Sequence, residues 1–111
     1  MKEIKAIIQP FLLSKVVEAL KEIEGLPGVT VSEVHGFGRA QGSSGTVLKG
    51  TVEYVNKSKL EVVVPDGLAE RVIQIVREHA HTGNPGDGKI FVLEVDDVIR
   101  IRTGERGDPA I

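Results

Sequence analysis

An α+β fold of order β-α-β-β-α-β, followed by a terminal strand, is predicted by three features of the sequence. Segments with period-two apolar alternation and segments with helical periodicity follow one another in that order. Each helical pattern sits between two strand patterns, which makes two β-α-β halves. A stretch without apolar periodicity, residues 39–53, joins the halves. This order suits a split β-α-β, ferredoxin-like sandwich, in which an antiparallel sheet carries both helices on one face. At 111 residues, a single domain spanning 1–111 is expected.

The first strand is read over Glu3 to Gln9. Ile4, Ala6 and Ile8 face one side and Glu3, Lys5, Ile7 and Gln9 the other, until Pro10 ends it. Ser14 is placed to cap a helix running to about Glu24. Its apolar stripe is Val16, Val17, Leu20 and Ile23, and Gly25-Leu26-Pro27-Gly28 stops it. A second strand runs from Val29 to about Gly38, opening on β-branched residues. Lys57 to Val64 is the clearest strand, with Leu60, Val62 and Val64 on one face. Asp66 is placed to cap the second helix, which ends near His81 and turns Leu68, Ala69, Val72, Ile73, Val76 and Ala80 inward. Strand Lys89 to Val95 follows, then the alternating segment Val98 to Arg102 as a terminal strand. The sheet face away from the helices carries Ile7 and Val63, so an oligomer covering it is expected.

Composition narrows the function. Net charge is −2, against a general nucleic-acid binder. With no Cys, disulfides and thiolate metal or redox sites are excluded. The N-terminal residues lack a signal-peptide core, and the longest apolar runs are too short to span a bilayer. A cytoplasmic protein without membrane insertion is expected.

The stretch His81 to Phe91, H-T-G-N-P-G-D-G-K-I-F, holds the densest chemistry. Gly tolerates positive φ and lets a ligand approach the backbone, successive N–H groups in such a loop form an anion-binding nest, and Lys89 adds a point charge. A phosphate-binding loop is the reading. Gly83 to Lys89 spells G-x-x-x-x-G-K, yet Ile90 stands where a Walker loop needs Ser or Thr, and the chain passes from helix to strand rather than strand to helix. The P-loop NTPase reading therefore fails. Arg100 and Arg102, two apart in the expected terminal strand, would project from one face toward an anion, or else pair with acids at a solvated edge. His79 and His81 at a helix end do not face one point, so a metal site there is disfavoured. Asp96-Asp97 reads as a solvated turn, and no nucleophile–base signature appears.

Several longer motifs together carry a resemblance. They are Ala6-Ile7-Ile8-x-Pro10-Phe11, Gly36-Phe37-Gly38-Arg39, Val62-Val63-Val64-Pro65-Asp66, Thr82-Gly83-x-x-Gly86-Asp87-Gly88-Lys89-Ile90-Phe91-Val92 and Val98-Ile99-Arg100-Ile101-Arg102-Thr103-Gly104-Glu105. In these the chain resembles the PII signal-transduction proteins over essentially its whole length. The resemblance implies a homotrimer, not an enzyme, that binds ATP or ADP in clefts between subunits, with Mg²⁺ a possible companion. It implies a phosphate loop of Gly86, Asp87, Gly88 and Lys89, with Arg100 and Arg102 reaching the phosphates from the adjacent subunit. Ile7, Gly28, Thr30, Glu61 and Val63 would line the adenine and ribose end. Gly36, Gly38 and Arg39 would stand at the base of a long T-loop, about residues 39–55, that engages a partner such as a transporter or an enzyme. Ala40 replaces the Gln with which nitrogen regulators of the family help hold Mg²⁺ and 2-oxoglutarate, which implies a PII-like protein divergent from those members. Lys57 matches the lysine at the far end of the loop. Tyr54 is not at a loop tip, and Asn84-Pro85 replaces the more usual Lys-Ile. A metal-binding sensor trimer, linked to metal efflux or homeostasis, is the alternative.

Overall fold

A computed structural model describes residues 1–37 and 54–111. The expected Gly38, Arg39, Ala40 and most of the T-loop lie outside the described residues. The elements in order are β1 (Lys2–Ile8), α1 (Leu13–Lys21), β2 (Thr30–Gly36), β3 (Val55–Val64), α2 (Asp66–Ala80) and β4 (Lys89–Glu94). The sheet order is β2-β3-β1-β4, every neighbouring pair antiparallel. This is the predicted ferredoxin-like α+β arrangement.

Period-two alternation in β1 and β3 decides which face is covered. Register places Ile4 opposite Val62, Ala6 opposite Leu60 and Ile8 opposite Ser58. These residues, with Val64, are buried under Val16, Leu20 and Ile23 of the α1 region and Ala69, Val72, Ile75, Val76 and Ala80 of α2. Ser58 is fully buried, and its hydroxyl donates to both carboxylate oxygens of Glu33, 3.0 and 3.2 Å away on β2. A buried hydroxyl without such a partner would cost about 1–3 kcal/mol. On the opposite face Ile7 and Val63 stand half-buried, and Phe91 and Leu93 are exposed.

Four expectations are corrected. A 3-10 turn, Pro10–Leu12, leads into α1, so the helix starts at Leu13 and Ser14 lies inside it with no capping bond. Regular α1 ends at Lys21; Glu22 and Ile23 continue it with tighter three-residue bonds to Ala19 and Leu20 carbonyls, which keeps Ile23 in the core. Asp66 is the first residue of α2 rather than its cap, and its carboxylate takes the Met1 ammonium at 2.9 Å. The expected terminal strand is reduced to one antiparallel bridge, Ile99 with Arg106. There the chain pairs with itself instead of extending the sheet. It reverses over residues 101–104, closed by Gly104 N–H donating to the Arg100 carbonyl at 2.7 Å and Arg100 N–H donating to the Glu105 carbonyl at 2.9 Å. Arg100 and Arg102 therefore share no strand face: Arg102 lies in the turn.

Candidate functional site

The glycine loop between α2 and β4 is built around one carboxylate. Asp87 Oδ2 accepts from the backbone N–H groups of Thr82, at 2.8 Å, and Gly83, at 2.9 Å, while Oδ1 takes the Thr82 hydroxyl. Thr82 Oγ1 in turn accepts Asn84 N–H at 3.1 Å. The Thr82 hydroxyl, then its N–H, hold the Asp87 carboxyl below the usual carboxylate range. Asp87 thus points into its own loop. Its carboxylate shapes the nest, while its own N–H is left to line it.

Contact with β1 sets the loop's position. Gly88 has φ +94°, and a Cβ there would lie 1.7 Å from the Ile7 carbonyl oxygen. Only glycine lets the loop cross β1 this closely. Gly86, at φ +96°, faces Gln9 Nε2 and Lys57 Nζ. Its carbonyl accepts a hydrogen bond from the Lys57 ammonium. Among the described residues the Gly86 and Asp87 N–H groups donate to no acceptor. Two free amides beside Lys57 and Lys89 form a cationic rim suited to phosphate oxygens. Ile7, paired with Lys89 across β1 and β4, lies at this end of the sheet. On the helix side a groove of about 290 Å³ runs under the loop, lined by Ile8, Val76, His81, Gly88 and Lys89.

Four other predicted residues gather elsewhere. Gly28, Thr30, Glu61 and Val63 line a cavity of about 460 Å³ at the opposite end of the sheet, together with Glu3 and Ile111. Thr30 sits opposite Glu61 in register, and Glu3 opposite Val63. Glu61 is held below the usual carboxylate range, first by hydrogen bonding with Glu3 and then by Lys59, whose ammonium is 3.3 Å away. Arg100 approaches this group by way of the last residues. Its Nη2 is 3.4 Å from the carbonyls of both Pro109 and Ile111, and its Nη1 is 3.6 Å from Glu105. Arg102 is exposed, and Gly36 closes β2 opposite Val55.

One chain therefore carries two half-sites. Ile7, Gly86, Asp87, Gly88 and Lys89 form one; Gly28, Thr30, Glu61 and Val63 form the other, with Arg100 behind it against Pro109 and Ile111. Glu3 and Ile7 are four residues apart on β1, so the halves are separated by roughly 13 Å along the strand. A family model described as nitrogen regulatory protein P-II matches residues 1–105. The chain belongs to that family. Nitrogen regulatory P-II proteins of Rhizobium meliloti and Azospirillum brasilense are 53% and 51% identical to it, each alignment covering all of both chains. P-II 1 of Escherichia coli K12 is 49% identical, again over all of both chains. A crystal structure of Arabidopsis thaliana PII bound to citrate superposes with a TM-score of 0.82 at 45% identity, covering 99% of this chain and 91% of that one. P-II membership makes the chain a signal-transduction regulator with a ferredoxin-like α+β fold.

The metal-sensor alternative gains nothing from the structure. His79 Nδ1 lies 2.8 Å from the Ile75 carbonyl, inside its own helix. Among the described residues no group of three or more His, Asp or Glu converges. Likewise, no helix of the described residues is long and apolar enough to cross a membrane.

Four participants were given no role from sequence. Thr82 clasps Asp87, Gln9 reaches Gly86, and Ala110 and Ile111 border the cavity. The Thr82-to-Asp87 spacing is a weak local signal for the first. Nothing local marks the others.

Proposed function

We propose that the chain is a regulator that binds ATP or ADP in clefts between the subunits of a homotrimer, with Mg²⁺ as a possible companion. The nucleotide state sets how residues 39–55 engage a partner in the cytoplasm, a membrane transporter or an enzyme. The observation that carries this reading is the division of the site into two half-sites at opposite ends of one sheet. A neighbour that brings its cavity end to the glycine loop end of the first chain assembles both. The loop then supplies amides and Lys89 to the phosphates, while Glu61 and Thr30 offer hydrogen-bonding groups at the ribose end. Exposed Phe91 and Leu93, with Ile7 and Val63, supply an apolar sheet face for the contact between subunits. ATP and ADP differ in the charge presented to the loop, and only a difference in affinity between two loop states transmits a signal.

The test is calorimetric titration with ATP and ADP, each with and without Mg²⁺ and 2-oxoglutarate. Lys89→Ala is expected to weaken ATP at least about 10-fold, the loss of a charge-assisted phosphate contact, with the oligomer intact. Unchanged affinity refutes the site. Tightening by 2-oxoglutarate would show that Ala40 does not prevent metabolite input.

A further inference from the structure

The residues after β4 form a clamp whose far end is Asp97. Its Oδ1 accepts Val98 N–H at 2.9 Å and Gly107 N–H at 3.1 Å. Its Oδ2 pairs with Arg106, 2.8 Å from Nε and 2.7 Å from Nη2, a two-pronged contact. The Gly107 N–H also donates to the Val98 carbonyl at 3.0 Å. One carboxylate thus pins both ends of the hairpin that carries Arg100. It also fixes the departure angle of the chain beyond Gly107.

That chain forms the 3-10 turn Asp108–Ala110, closed by Ala110 N–H to the Gly107 carbonyl at 2.9 Å. Ala110 is buried, and Ala110 and Ile111 border the cavity beside Gly28, Thr30 and Glu61. Arg100 Nη2 points at the carbonyls of Pro109 and Ile111. An arginine carries five donors in a rigid fork. Anchoring Nη2 on two carbonyls orients the fork and leaves Nε without a partner among the described residues. Glu105, at 3.6 Å, is the weak competitor for Nη1.

We propose that Asp97, acting through Arg106, Gly107 and the 3-10 turn, is a positioning residue that aims Arg100 at the phosphates of a nucleotide bound against the cavity. The inference rests on the nucleotide-binding reading above. It adds a residue that touches no ligand and a terminal turn that serves as the arginine's backstop. Without the clamp the hairpin keeps its own Arg100–Glu105 bonds, but its bearing on the cavity is lost.

The experiment is a double-mutant cycle on the full chain with Asp97→Ala and Arg100→Ala, read by calorimetry with ATP and with adenosine. Each single variant is expected to weaken ATP about 5- to 10-fold. The double variant should bind within about 2-fold of Arg100→Ala, because residues in one chain of contacts do not add. Adenosine, which has no phosphate, should keep its affinity in Asp97→Ala within about 2-fold. Ala110→Gln, which unseats the turn and leaves Asp97 in place, should reproduce the loss for ATP. Additive losses, or equal losses for ATP and adenosine, overturn the proposal while the nucleotide site stands. Tighter ATP binding by Ala110→Gln also overturns it, since the turn would then be a plug. Wild-type protein that binds neither ligand overturns the functional reading itself, and this inference with it. Circular dichroism and oligomer mass check that each variant is folded.

Discussion

Gly88→Ala isolates the contact on which the glycine loop depends. The new Cβ falls 1.7 Å from the Ile7 carbonyl oxygen and 2.8 Å from its carbon, atoms held inside the sheet by pairing with β3 and β4. The clash is with backbone, so no side chain can rotate away. Forcing the loop back resembles overpacking a core, about 1–3 kcal/mol. The φ of +94° adds strain of about 1–3 kcal/mol for any L side chain. Together these cost about 2–6 kcal/mol, a large part of the 5–15 kcal/mol typical of a small domain. At about 4–8 °C per kcal/mol for a domain near this size, that lowers Tm by roughly 8 °C or more. Two control glycines separate the causes. Gly104 has φ +75° with nothing within 4 Å of the added Cβ, so Gly104→Ala carries the strain alone, about 1–3 kcal/mol or roughly 4–24 °C. Gly28 has open space and no positive φ, so Gly28→Ala should melt within about 2 °C of wild type. Thermal unfolding by circular dichroism reads all three. If Gly88→Ala melts no lower than Gly104→Ala, the loop can lift off β1 freely, and the close approach does not position it.

Acid should open the same loop. The Asp87 carboxyl titrates below its ordinary range because the Thr82 hydroxyl and N–H bond to it. A depressed folded-state value means the contribution is complete at neutral pH and is lost as pH falls through the depressed value. The Thr82 and Gly83 amide resonances should move together over that acidic range, and Asp87→Asn should show the moved positions already at pH 7. Amides that stay put to pH 2 would remove Asp87 as the organiser. On the uncovered sheet face, Phe91→Asp places a charge opposite Lys5 and beside Leu93, in place of the largest exposed apolar side chain of β4. Light scattering should then find a species smaller than the wild-type oligomer, and an unchanged mass would move the subunit contact to another surface.

The sequence alone determined the sheet and its two helices. Periods of two and 3.6 report which side of an element is buried, and burial of a consistent face requires nothing beyond neighbouring residues. Ile4, Ala6, Ile8, Leu60, Val62 and Val64 could be assigned to the core in this way. The glycine loop was visible too, because positive-φ positions demand glycine locally. What each loop group does was decided only by the tertiary structure. Asp87 reads as a possible ligand in sequence, but folding turns its carboxylate onto Thr82 and Gly83. Lys57 is bound to Gly86 across twenty-nine residues. The terminal alternation Val98–Arg102 carries a strand's pattern, yet a strand also needs a partner edge, and here the chain found its own Arg106. Alternation records the conformation a segment favours, whereas pairing depends on which edge is within reach, and that is set by the whole fold. For the same reason the separation of Gly28, Thr30, Glu61 and Val63 from the glycine loop could not be read along the chain: strand register places them at opposite ends of one sheet.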